Sequence, residues 1–263
     1  MTGLEALTSA IALARTRAGA RVPIVGVAGP QGSGKTTLAR AFAAADPSVA
    51  AFSLDDVYLP RAYRQLIAHD VHPLFATRGP PGTHNLTQLS ETLDELMAAG
   101  PTWLTRLPGF DKVADDPLPE SRRPVFKGMP SLILLDGWCL GATAQTDAEL
   151  AKPINELERG EDVEGVWRRE VNAKLAGAYQ DVFDRLDAIV QMCAPSFDLI
   201  HAWRSQQEEG LLGRALMDAD RARIARFIQH FERITRHMLT GGRRADIELD
   251  LDADRSVIAV RGG

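Results

Sequence analysis

One octapeptide limits what this chain can fold into more than anything else in it. Gly29-Pro-Gln-Gly-Ser-Gly-Lys-Thr36 satisfies G-x-x-x-x-G-K-[ST], with the apolar run Ile24-Val-Gly-Val-Ala28 before it and a helix-forming run from Thr37 to Ala45 after it. Anion binding needs that order. Glycines at 29, 32 and 34 let the backbone wrap a polyphosphate with its N–H groups pointing inward, and the following helix brings its positive dipole end to the same place. Lys35 would neutralise the β and γ phosphates, and the Thr36 hydroxyl would ligate Mg²⁺. The motif predicts a nucleotide triphosphate site contacted by Gly29, Gln31, Gly32, Ser33, Gly34, Lys35, Thr36 and Thr37.

The rest of the chain reads as the sheet such a loop requires. Short apolar runs, the strand candidates, occur at Pro23–Ala28, Val49–Leu54, Thr102–Leu107, Ser131–Leu135, Ala188–Met192 and Asp246–Leu251, separated by longer helical patterns. A last run, Ser256–Val260, would close a terminal hairpin, although no Asn-Gly or Asp-Gly marks its turn. Asn85 and Gln88 resemble a capping box before the stripe Leu86, Leu89, Leu93, Leu96 and Met97, which Gly100-Pro101 stops. A second stripe runs from Ile224 to Met238 after a cap expected at Asp218. Its arginines, Arg223, Arg226, Arg233 and Arg236, read as a solvated face. The fold class expected is α/β, a doubly wound, mainly parallel sheet of the P-loop NTPase type with helices on both faces.

Composition excludes more than it assigns. At 263 residues, 45% hydrophobic and 25% charged, the chain has material for a sizeable core and lies far from disordered or membrane-spanning compositions. The net charge of −5 gives no overall attraction to a phosphate backbone, so no nucleic-acid partner is expected, and no apolar run is long enough for a bilayer. Cys139 and Cys193 lie in or beside apolar runs without metal-ligand spacing and read as buried thiols of a reducing compartment. Leu4, Leu7, Ile11 and Ala14 fall at helical spacing, so the first residues read as an amphipathic surface helix and the protein as cytoplasmic. Pro108–Pro130, rich in Pro, Asp and Arg, is irregular and long enough to be a candidate for substrate contact.

Three carboxylates fall at strand ends on the phosphate-loop edge. Asp136 closes the wholly apolar run Leu132–Leu135, as a residue that carries its carboxylate to a metal shell would. Asp55 and Asp56 follow Val49–Leu54, where a base for an acceptor hydroxyl would stand; a helix-cap pair is the structural alternative. No Asn-Lys-x-Asp guanine motif occurs, which favours phosphotransfer with ATP over a GTPase switch.

Taken in order, Gly29 to Thr37, Ser53-Leu-Asp-Asp-Val-Tyr-Leu59, Arg78-Gly-Pro-Pro-Gly-Thr-His84, Leu107-Pro-Gly-Phe-Asp-Lys112, Leu134-Leu-Asp-Gly-Trp-Cys-Leu-Gly141 and Trp203-Arg204 resemble the motifs of the D-glycerate 3-kinase family. That family stands in the P-loop kinase group with uridine kinase, phosphoribulokinase and bacterial pantothenate kinase. The resemblance runs from about Val22 to the C-terminus and implies ATP, Mg²⁺ and a small, anionic acceptor. It implies one domain over 1–263, with a substrate-binding excursion at about 60–130 and a lid at about 195–217. It makes Lys35, Asp55 and Arg204 the catalytic set, with Asp55 as general base and Arg204 closing over the transferred group. Thr36 and Asp136 become the metal pair. Tyr58 becomes a pocket wall, and Arg78, His84 and Lys112 the cations that meet the acceptor. Trp203 is expected to pack under the lid.

The chain departs from the family pattern twice. Asn85 stands where an aspartate usually follows the histidine, and Gly109 where an arginine usually precedes the aromatic, with Arg106 the nearest cation to compensate. The expected reaction is in-line phosphorylation of D-glycerate to 3-phosphoglycerate. The alternatives are another small acceptor (pantothenate, a sugar phosphate or a nucleoside) and an ATP-driven switch with no acceptor.

Overall fold

Why the phosphate-loop strand sits in the middle of the molecule follows from burial on both of its sides. In the computed structural model, which describes residues 2–262, six strands form one sheet. They are β1 (Ile24–Ala28), β2 (Val49–Ser53), β3 (Leu132–Gly137), β4 (Ala188–Cys193), β5 (Ile247–Leu251) and β6 (Val257–Gly262). Their spatial order is β6-β5-β4-β1-β3-β2. All neighbours are parallel except β5 and β6, which form an antiparallel hairpin at one edge. Every residue of β1, β3 and β4 is buried, as expected of parallel strands covered on both faces.

Two helix layers do the covering, so the expected α/β architecture is the observed one. Alternation along β3 sends Leu132 and Leu134 to one face and Ile133 and Leu135 to the other. The first face is covered by α1 (Gly3–Ala18) and α2 (Lys35–Ala45). The predicted N-terminal helix forms with Thr2 as its cap and lays Leu7, Ala10, Ile11 and Ala14 on the sheet, while Leu4 faces outward. The second face packs on Leu89, Leu93 and Leu96 of α3 (Leu86–Ala98) and on Phe231, Ile234 and Met238 of α5 (Asp218–Leu239). Between them in sequence, α4 (Phe197–Leu212) carries Trp203 into the first core. Cys139 and Cys193 are free and buried, as expected.

Several local expectations are corrected. Thr102–Leu107 does not join the main sheet. Leu104–Arg106 pairs instead with Val125–Lys127, and Phe110–Asp111 pairs with Asp116–Pro117, so the stretch expected to be irregular is folded into two small antiparallel ladders. Asp218 does not cap α5. Met217 holds the cap position, and its N–H donates to Asp220 at 3.1 Å. Asn85 does cap α3, accepting the Gln88 N–H at 3.0 Å.

Arg233 is not solvated. It is buried and bonds both oxygens of buried Glu158, at 2.7 and 2.6 Å, as well as the Glu149 and Lys152 carbonyls. Helix periodicity marks which residues share a face; here a second helix segment covers part of the polar face. The terminal hairpin forms without a glycine turn because Asp252 accepts the Asp254 and Ser256 N–H groups. Arg255 takes φ +68° there. Among the described residues no helix is long and apolar enough to cross a membrane.

Candidate active site

Parallel register brings the first group together. Ser53 at the end of β2 pairs with Asp136 at the end of β3, and β1 delivers the phosphate loop beside them. Asp136 accepts the Thr36 hydroxyl at 2.8 Å and the Ser53 hydroxyl at 3.1 Å. Burial raises the Asp136 pKa against the pull of Lys35. Lys35 lies over the loop, its ammonium 3.5 Å from the Pro30 carbonyl; burial lowers its pKa, opposed by Asp55 and Asp136. Ser53 was not expected at the site. Its place follows from strand register, which a single sequence does not carry.

The phosphate loop is held from behind by α4. A Cβ at Gly32 would fall 2.7 Å from Trp203 Cβ, so only glycine lets α4 pack this closely, and φ there is +75°. Trp203 is buried, as expected, and donates its indole N–H to the Ala253 carbonyl at 2.8 Å. Arg255 donates to the Gly32 carbonyl at 2.6 Å and lies over the Trp203 ring. Arg204, one residue on, bonds Gln207 and Glu208 on its own helix and lies within electrostatic reach of Arg78, Asp55 and Tyr58.

A single turn of 3₁₀ helix, Leu54–Val57, divides the aspartate pair. Ser53 and Asp56 form a reciprocal cap, with the Ser53 N–H donating to Asp56 at 2.9 Å. Asp56 is thus the capping member, and burial raises its pKa to about 6. Asp55 is left to the site. Its two oxygens accept the Tyr58 hydroxyl at 2.7 Å and the Lys112 ammonium at 2.8 Å. Burial works against ionisation of Asp55, but Lys112 and Lys35 together hold its carboxyl well below the usual range.

Aromatic packing sets the remaining groups around Asp55. Tyr58 stacks on His84 with ring centroids 4.7 Å apart and meets Phe110 edge-on at 5.2 Å. Arg78 lies 5.5 Å over Phe110 and pairs with Asp115, which also holds buried Arg64 at 2.7 Å. The turn before His84 is built on Gly79, at φ +124°, where a Cβ would collide with Phe231; the Gly79 carbonyl accepts the Trp138 indole N–H at 3.0 Å.

Thus the structure gathers Asp55, Tyr58, Arg78, His84 and Lys112 into one cluster facing Lys35. His84, expected as a cation, is neutral: burial holds its pKa down at about 3. Arg106 does not stand in for the cation missing at Gly109, because it is half exposed and pairs with Glu120 at 3.5 Å. The Gly109 position instead forms part of the wall of a 370 Å³ cavity that Ser53, Asp56 and Asp136 also line. Tyr179 and Asp115 were not anticipated. Neither lies in a recognisable motif, and only the packed chain shows them.

No family model matches the chain. The uncharacterized kinase mug58 of Schizosaccharomyces pombe is 31% identical over 221 residues, covering 79% of this chain and 78% of the relative. The chain is a P-loop kinase of that family. This kinase also superposes on the YGR205w protein with a TM-score of 0.75 at 22% identity, covering 99% and 98% of the two chains. D-glycerate 3-kinase from Cryptococcus neoformans matches it at a TM-score of 0.76 and 20% identity, covering 99% and 97%. The resemblance read from the motifs holds as far as a P-loop kinase and its fold.

Proposed function

We propose that this kinase transfers the γ-phosphoryl group of ATP to a hydroxyl of a small anionic acceptor, with D-glycerate to 3-phosphoglycerate as the leading case. The observation that carries the reading is the Lys112–Asp55–Tyr58 chain of contacts beside Lys35. A carboxylate clamped by a half-exposed ammonium is poised for exchange. An acceptor's own carboxylate can take over Lys112, with Arg78 close by, and so release an Asp55 oxygen to the acceptor hydroxyl.

The chemistry then needs little from the protein beyond placement and charge. The acceptor oxygen bonds to the γ phosphorus while the bond from that phosphorus to the β,γ-bridging oxygen breaks. The hydroxyl proton passes to Asp55. A carboxylate of low pKa is a weak base, which suits a loose transition state in which the proton leaves late. Lys35 neutralises the β and γ oxygens, and Arg204 would meet the transferred group as α4 closes. The Thr36 hydroxyl and Asp136 carboxylate are hard oxygen donors fitted to Mg²⁺, which would draw charge off the phosphates when bound. Among the described residues there is no group of three or more His, Cys, Asp or Glu that would hold a metal by itself, so nucleotide phosphates would complete the shell.

A coupled ADP-release assay across D-glycerate, pantothenate, ribulose 5-phosphate and uridine tests this. Glycerate-dependent turnover with 3-phosphoglycerate as product is the expected result. Turnover of another acceptor alone overturns the substrate and keeps the kinase. A basal ATPase that no acceptor stimulates would favour the switch reading.

A further inference from the structure

We infer that Tyr179 fixes His84 as a neutral imidazole with its proton on Nε2, and that this N–H donates a hydrogen bond to an oxygen of the acceptor. The inference rests on the kinase reading above and gives His84 a role that its lack of charge had removed.

The tautomer follows from counting donors. Tyr179 is buried, and its hydroxyl oxygen accepts the Gly82 backbone N–H at 3.0 Å and lies 2.6 Å from His84 Nδ1. The amide can only donate. Were Nδ1 protonated too, two donors would converge on one oxygen, and the hydroxyl proton would have no acceptor among the described groups. With the proton on Nε2, the tyrosine O–H donates to Nδ1 and all three groups are satisfied.

That arrangement leaves one donor over. His84 is 5% exposed, and Nε2 is buried with no hydrogen-bond partner. Buried donors are rarely left unpaired, and those that persist call for a reason. Here the ring lies against Tyr58, whose hydroxyl is bonded to Asp55, the group that would receive the acceptor's proton. The aromatic neighbours are Tyr58 on one side and Tyr179 on the other, and the charge acting on the ring is that of Asp55. A neutral donor in this position discriminates by where an acceptor carries oxygen, while Lys112 and Arg78 discriminate by charge.

Long-range ¹H–¹⁵N NMR of the labelled protein tests both halves, with His84→Gln used to assign the resonance. The wild type should show His84 with Nε2 protonated and Nδ1 bare, unchanged from pH 5.5 to 8. The Nε2 proton should shift when D-glycerate is added with ADP. Tyr179→Phe should give a mixed tautomer pattern and raise the D-glycerate KM about tenfold, leaving the ATP KM unchanged. His84→Gln, which keeps a neutral N–H, should bind D-glycerate better than His84→Leu. A protonated Nδ1, a titration near 6.5, or an Nε2 proton indifferent to an acceptor that the enzyme phosphorylates overturns the proposal. Because the wild-type tautomer is read without turnover, it stands or falls separately from the identity of the substrate.

Discussion

The two halves of the site are built by different means. On the nucleotide side, Lys35 and Thr36 lie in one unbroken motif, and parallel pairing of two strands adds Ser53 and Asp136. On the side proposed for the acceptor, Asp55, Tyr58, Arg78, His84, Lys112 and Tyr179 come from four separated segments, held by ring contacts, one ion pair with Asp115 and a buried tyrosine. Backbone geometry makes the first half; side-chain packing makes the second. The first should therefore be all-or-none under mutation, and the second tunable.

The largest effect tests the rigid half. Lys35→Ala or Asp136→Ala should lower kcat at least a thousandfold, because each removes fixed charge from the developing transition state. Measurable turnover within tenfold of wild type would break the comparison. Next comes Asp55→Asn, expected to keep ADP affinity by calorimetry while transfer falls about 10²- to 10⁴-fold, the usual worth of a positioned base. A near-full rate would remove Asp55 from that role.

Lys112→Ala belongs to the tunable half. It should raise the acceptor KM about 10- to 100-fold with the ATP KM unmoved, since it deletes one charge-assisted contact. An equal rise in both constants would show that the two halves are not separable.

The smallest effect concerns Asp56 and is one of stability. Its folded pKa of about 6 lies above that of an unfolded aspartate, about 3.9. The native state therefore holds the proton more tightly, and this group's contribution to stability falls as pH rises from about 4 to 6, then stays level. Asp56→Asn, which keeps the oxygen that accepts the Ser53 N–H, should raise Tm by about 2 to 4 °C at pH 8 and change it little at pH 4. A Tm gain of equal size at both values would show that charge is not the cause.

The same division explains what could be read from residues alone. The phosphate loop, all six strands of the main sheet, the N-terminal helix and the Asn85 cap were legible, because each is a matter of spacing within a few neighbouring residues. Thr102–Leu107 was misplaced because an apolar alternation does not say which ladder a strand joins. Arg233 was misread for a related reason: helical period identifies the face of α5, and only the segment around Glu158 buries it. The Asp55-Asp56 pair stood undecided between base and cap until the 3₁₀ turn made Asp56 the cap and left Asp55 free of that task.

Short-range chemistry alone determined that this chain binds a nucleotide polyphosphate on a parallel sheet, since a glycine loop between strand and helix has few other uses. Tertiary structure decided the acceptor side: that Asp56 caps while Asp55 faces Lys35, that Lys112 closes on Asp55, and that His84 is neutral. Those outcomes depend on burial, on strand register and on contacts between residues as distant in sequence as His84 and Tyr179. The free energy of a charge or a hydrogen bond is set by what surrounds it, and no local stretch of sequence contains those surroundings.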